Sequence, residues 1–170
     1  AYHSEGNVDA ALAALKPLVD EGATRAFALY HEGLIMDLAG RSKEASPVLE
    51  EANRLSGGES LRILEAYGNH LARMGKTAQA REVFESFLVK LPDNPVISRA
   101  LARVNAGQAP ERVVANARQG MAETLYGIAA STSEDKSFDI PVFYLQLALA
   151  LEPQHELSLS LLADRLESVE

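Results

Sequence analysis

Four histidines, His3, His31, His70 and His155, and 24 acidic side chains are the groups from which a catalytic or metal site in this 170-residue chain would be built. His31-Glu32 opens like the helical zinc-protease motif, in which two histidines four residues apart share one face around a metal. Ile35 stands where the second histidine is required, so the motif fails. The other histidines have no ligand partner at helical spacing, and His70 reads as a packed histidine beside a helix contact. The acidic pairs Glu50-Glu51 and Glu134-Asp135 diverge by about 100° on a helix, which keeps them from sharing a proton or a cation. Ser131-Thr132-Ser133 falls in a turn with no histidine near it in sequence, and no glycine-rich phosphate loop follows a strand. Cysteine is absent, which removes thiolate nucleophiles, thiolate metal sites and disulfides. The expectation is a chain without catalytic, cofactor or metal site, and not an enzyme.

Charge and hydropathy narrow the partner classes. The net charge is −8, from 16 basic and 24 acidic side chains, and no Lys/Arg cluster exceeds a pair. Nucleic acid is therefore not an expected partner, since phosphate binding needs a concentrated basic face. The field favours basic or neutral ligands. The longest nearly uninterrupted apolar stretch, Ile140 to Leu151, contains Gln146 and is bounded by Asp139 and Glu152. It is shorter than the roughly 20 residues a bilayer span requires, so a buried helix is expected and membrane insertion is not. A chain of this size buries about 70% of its unfolded surface and folds without staples. It is expected to be soluble, cytoplasmic or periplasmic. Because it opens at Ala1 in the middle of a repeat, it is expected to be a fragment of a longer protein.

The elements that must position any site come from a repeat. Gly33, Gly40, Ala45 and Ala52 recur 35 residues later as Gly68, Gly75, Ala80 and Phe87, the period of stacked two-helix units. In the best-formed unit, residues 61–94, Leu61, Leu64, Tyr67, Leu71 and Met74 mark one face of a first helix that ends at Gly75-Lys76-Thr77. A second helix follows with Ala80, Val83, Phe84, Phe87, Leu88 and Leu91 inward, until Pro92 to Pro95 stop it. So short a turn makes the two helices antiparallel neighbours, and small residues at Gly68 and Ala80 let them approach closely. The unit at 26–60 repeats this scheme with Gly57-Gly58 in place of the terminal proline. Residues 1–25 read as the second helix of a truncated repeat. Residues 95–121 read as a degenerate repeat or linker helix, broken at Gly107-Gln108-Ala109-Pro110, whose second helix is shortened or lost. Residues 122–155 form a divergent unit with Asp139 capping its second helix and Pro141 in the tolerated first turn. Residues 156–170 read as the orphan first helix of a further truncated repeat.

This alternation of small and large residues over about 34 positions, closed by proline, resembles the tetratricopeptide repeat, and its texture resembles that of bacterial multi-repeat proteins. Departures are Glu32 in place of leucine, Phe87 in place of alanine and Pro141 in place of a small residue. The resemblance implies an all-α fold, an α-α superhelix of antiparallel hairpins, whose concave groove is lined by first helices. Residues beside each core stripe are then expected to face that groove: Tyr30, His31, Leu34 and Asp37, with Phe27; Arg62, Glu65, Asn69 and Arg73; and Glu123 and Tyr126, with Ala130. Asn69 matches an asparagine that family members use on terminal carboxylates, but Glu65 replaces the lysine, which disfavours a carboxylate clamp. The expected function is a scaffold or adaptor that binds an extended peptide or helix of a protein partner in this groove. The alternatives are a structural, self-associating segment joined through its exposed end helices, or a substrate-selecting domain of a larger enzyme such as a glycosyltransferase.

Overall fold

The computed structural model describes residues 6–20, 24–132 and 139–168. His3, Ser133 and the Glu134-Asp135 pair lie outside the described residues. Among the described residues there are nine α-helices and no strand. They are α1 (Val8–Asp20), α2 (Arg25–Leu38), α3 (Ser42–Leu55), α4 (Leu61–Arg73), α5 (Thr77–Lys90), α6 (Pro95–Asn105), α7 (Ala117–Ser131), α8 (Asp139–Leu151) and α9 (Glu156–Glu167). The chain divides into two compact units, Ala1–Val113 and Val114–Glu170.

In the first unit each helix packs on the next, and α2 also touches α4, as α4 touches α6. This is the contact pattern of stacked hairpins, in which the first helices of successive units form one layer. The glycine grid supplies the turns. Gly40 has φ +77°, and its N–H donates to Asp37 O while Arg41 N–H donates to Met36 O. That paired closure satisfies two carbonyls left over at the end of α2 and needs a left-handed residue, which glycine adopts without a Cβ penalty. Gly75 closes α4 in the same way, through Gly75 N–H to Ala72 O and Lys76 N–H to Leu71 O.

The other two glycines of the grid serve close approach. A Cβ on Gly68 would lie 2.3 Å from Phe84 Cε1, and one on Gly33 would lie 2.5 Å from Leu49 Cδ2. Phe84 and Leu49 therefore fill the space a side chain would take, and their helices come together at bare backbone. Around the first of these contacts Leu64, Leu71, Ala80, Phe84, Phe87, Ile97, Ala100 and Val104 form one core drawn from α4, α5 and α6. Phe87, a departure from the family pattern, is part of it.

The irregular segment resolves into a helix and a strap without helix or turn. Asn94 caps α6 by accepting from Ile97 N–H, with Pro95 at the first helical position. Gly107 then ends the helix, and residues 108–112 carry neither helix nor turn. The second helix of this hairpin is thus absent. The next helix begins at Ala117, five residues before the expected boundary at 122, because Asn116 caps it by accepting from Gln119 N–H.

In the second unit α7 and α8 pack together, and α9 contacts both. Leu145, Ala148, Ala122 and Ala129 form its interior, and Pro141 is buried in the first turn of α8. Asp139 is the first helical residue of α8. Ile140, Phe143 and Leu147 of α8 and Leu159 and Leu166 of α9 remain exposed.

Candidate functional site

The residues singled out from the sequence lie on α2 and α4 in the first unit and on α7 in the second, and burial sorts them. On α2, Tyr30, His31, Leu34 and Asp37 are buried. Phe27 and Tyr30 flank His31, with ring centroids 4.4 and 4.9 Å away. These rings serve the interior of the unit. On α4, Arg62 and Glu65 are partly covered, with side chains 17% and 16% exposed, and pair at 2.6 Å. The expected departure from a carboxylate clamp thus has a physical form: Glu65 holds Arg62. Asn69, one turn further, is 5% exposed, and its Oδ1 has no hydrogen-bond partner among the described residues. Burial also raises the Glu32 carboxyl above its ordinary value.

Asp37 is the electrostatic centre of the first unit. Its side chain is only 6% exposed, yet four side chains reach it. Arg73 Nη2 donates to Oδ2 at 2.6 Å, and Arg112 Nε lies 3.2 Å from the same oxygen. Ser42 Oγ donates to Oδ1 at 3.1 Å, and His70 Nδ1 lies 3.1 Å from Oδ1. Burial alone raises the pKa of this carboxyl, but the His70 hydrogen bond and the charges of Arg73, His70 and Arg112 outweigh it and hold the group at about 2. The structure therefore brings together two residues expected on the wall, Asp37 and Arg73, and adds His70, Ser42 and Arg112.

His70 continues the chain of contacts. A carboxylate only accepts, so Nδ1–H of His70 donates to Asp37, and in the neutral ring Nε2 accepts from Ser46 Oγ at 2.7 Å. The order carboxylate, imidazole, hydroxyl is that of a nucleophilic relay. Two parts of such a relay are missing. His70 has no exposed surface on which to meet a substrate. Pro47, which follows Ser46, has no N–H to offer a developing oxyanion. What the arrangement does is tie α2, α3 and α4 together through one buried charge.

The second unit contains a counterpart. His155 caps α9, accepting at Nδ1 from Ser158 N–H at 3.2 Å, with Ser158 Oγ 2.8 Å from the same nitrogen. Nε2–H therefore faces Glu123 Oε2 at 3.1 Å. Glu123 and Ser158 are buried, and Tyr126 stacks obliquely on His155 with centroids 5.4 Å apart. In both units a carboxylate on one first helix meets a histidine one repeat later, at sequence separations of 33 and 32. Sequence reading named the two carboxylates and took His70 as a packed histidine, as its burial shows, but gave no role to His155 or the serines. Their signal was that spacing, one repeat period between an acid and a histidine.

Among the described residues no group of three histidine, aspartate or glutamate side chains is placed to hold a metal ion. No described helix is long and apolar enough to cross a membrane. No curated protein matches this chain. Residues 61–104 match the tetratricopeptide repeat family model, which takes in α4, α5 and α6 and so reaches one helix beyond the unit read from the sequence. With the hairpin turn, the Gly68 contact and this match in place, residues 61–104 form a tetratricopeptide repeat segment.

Proposed function

We propose that this chain is a non-catalytic scaffold or adaptor module that binds an extended peptide or helix of a partner protein along the wall of α2 and α4. Tetratricopeptide repeats are in general protein-interaction modules. The observation that carries the reading to this wall is Asn69. Its amide oxygen is buried and unmet, which costs about 1–3 kcal/mol, and it shares a helical stripe with Arg62, Glu65 and Arg73. A partner's backbone N–H is the donor such an oxygen lacks, and it meets the buried oxygen once the Asn69 side chain turns outward along that stripe, since an extended peptide presents donors at regular spacing along a groove. The test is affinity capture from native extract with the unaltered chain and an Asn69→Leu variant side by side. The variant is expected to fold at least as stably, since it removes the unmet acceptor, and to lose the client. Identical captures would refute the reading.

A second reading rests on the second unit. Phe143, Leu147, Leu159 and Leu166 are exposed on α8 and α9, an apolar surface that suits self-association. Mass in solution that rises with concentration, and ceases to rise in a Phe143→Ser, Leu147→Ser variant, would establish it. A concentration-independent monomer would exclude it.

A further inference from the structure

The strap that follows α6 lies against the wall on which a partner is proposed to bind. Residues 108–112 run without helix or turn, and two groups fix them. Arg73 Nη1 on α4 donates to the backbone carbonyl of Glu111 at 3.1 Å. Arg112 brings its Nε to 3.2 Å from Asp37 Oδ2 on α2. Pro110 is buried, and Glu111 Oε1 lies 3.7 Å from Arg103 Nη1. One carbonyl and one side chain, taken from consecutive residues of a segment without helix or turn, are a usual means by which a groove holds a peptide.

We propose that Asp37 and Arg73 form a recognition site for an extended, arginine-bearing peptide, and that the chain's own Pro110 to Arg112 segment occupies it as a stand-in. The proposal rests on the wall-binding reading above and specifies the partner's chemistry. Three features support an exchangeable occupant over a fixed loop. Arg112 is 42% exposed and forms the pair through its Nε, so its loss exposes little. Asp37 keeps Arg73, His70 and Ser42 when Arg112 leaves, so its buried charge stays compensated. The protein carries a net charge of −8, which draws a cationic segment toward it. The ligand's arginine replaces Arg112 on Asp37, its preceding carbonyl replaces that of Glu111 on Arg73, and no covalent step is involved.

The probe is a labelled synthetic peptide of residues 107–115, followed by fluorescence anisotropy against the intact chain and an Arg112→Ala variant. The variant is expected to bind the peptide, and the intact chain to bind it about tenfold more weakly if its own strap fills the site nine-tenths of the time. The same peptide with citrulline in place of its arginine keeps the shape, loses the charge and is expected to bind neither protein. Failure of the variant to bind, or equal binding of the citrulline peptide, overturns the proposal. An Asp37→Asn variant, checked for helicity, is expected to lose binding as well; if it folds and binds normally, the proposal falls. Excess peptide added to the capture separates this proposal from the one beneath it. Clients lost with Asn69→Leu but untouched by the peptide leave the wall as the binding surface and remove Asp37 as its arginine site.

Discussion

Replacing Gly68 by alanine sets two effects of known sign against each other. Alanine is favoured over glycine in a helix interior by about 1 kcal/mol, so propensity alone predicts a more stable protein. Packing predicts the opposite. The new Cβ would lie 2.3, 2.4 and 3.1 Å from Cε1, Cζ and Cδ1 of Phe84, a ring with no exposed surface. Carbon atoms in contact prefer about 3.5–4.0 Å, so the helices must part by about 1 Å or the ring must leave its rotamer. Overpacking of this kind costs about 1–3 kcal/mol, and a rigid buried ring puts this case at the upper end. The net expectation is a loss of about 2 kcal/mol, read as a fall of about 1 M in the urea midpoint followed by circular dichroism. Phe84→Leu removes the two atoms that overlap most. Alone it leaves a cavity and destabilises by about 1–2 kcal/mol. Combined with Gly68→Ala it should cost less than the sum, with a favourable coupling of about 1–3 kcal/mol. A Gly68→Ala protein as stable as its parent, or strict additivity in the double variant, would refute the argument that this glycine exists for close approach.

Because the folded-state pKa of Asp37 is lowered from 3.8 to about 2, its contribution is complete above pH 4 and disappears as pH falls through about 2. The unfolding free energy of the parent from urea titration, compared with that of Asp37→Asn, should show a difference of about 2 kcal/mol that vanishes across that window; a difference independent of pH would contradict it. Gly75→Ala meets nothing within 4 Å, but its φ of +77° penalises any Cβ, so it should lose about 1 kcal/mol while Gly75→Asn loses less; equal losses would reject the conformational cause. Glu123→Ala should reduce amide protection in α7 and α9 by about 1–3 kcal/mol, measured by hydrogen exchange, with unchanged protection counting against the His155 link.

Much of the fold was legible because the repeat is written in residues with narrow physical uses. Gly40 and Gly75 had to be turns and Gly33 and Gly68 had to be contacts, and the periodic apolar positions of 61–94 gave two helices where α4 and α5 are found. The end of α6 was legible for the same reason, in Gly107. The start of α7 was not, since Ala117 to Met121 lack apolar period and Asn116 alone marks the boundary. The candidate wall was legible only as a stripe. Position on a helix named Asp37, Asn69 and Arg73, but nothing in the spacing of one helix reports what the next helix lays over it. Tyr30 and His31 therefore read as surface and are interior. Arg112 and Ser46 could not be found at all, because their meeting with Asp37 and His70 depends on how the strap and α3 are set against α2 and α4.

The acid-to-histidine links bear on how far a disturbance can spread. Stacked repeats behave as a row of neighbours, and such a row frays wherever the junction between two neighbours is cheap to break. The junction of α2 with α4 is not cheap, since opening it would strip Asp37 of His70 and Arg73 while its charge remained partly enclosed. Melting that begins at either side of this joint must either halt before it or take both repeats at once. The two hairpins thus share a single cooperative length, set by one carboxylate, and a peptide that seats an arginine on that carboxylate would act on the melting of both.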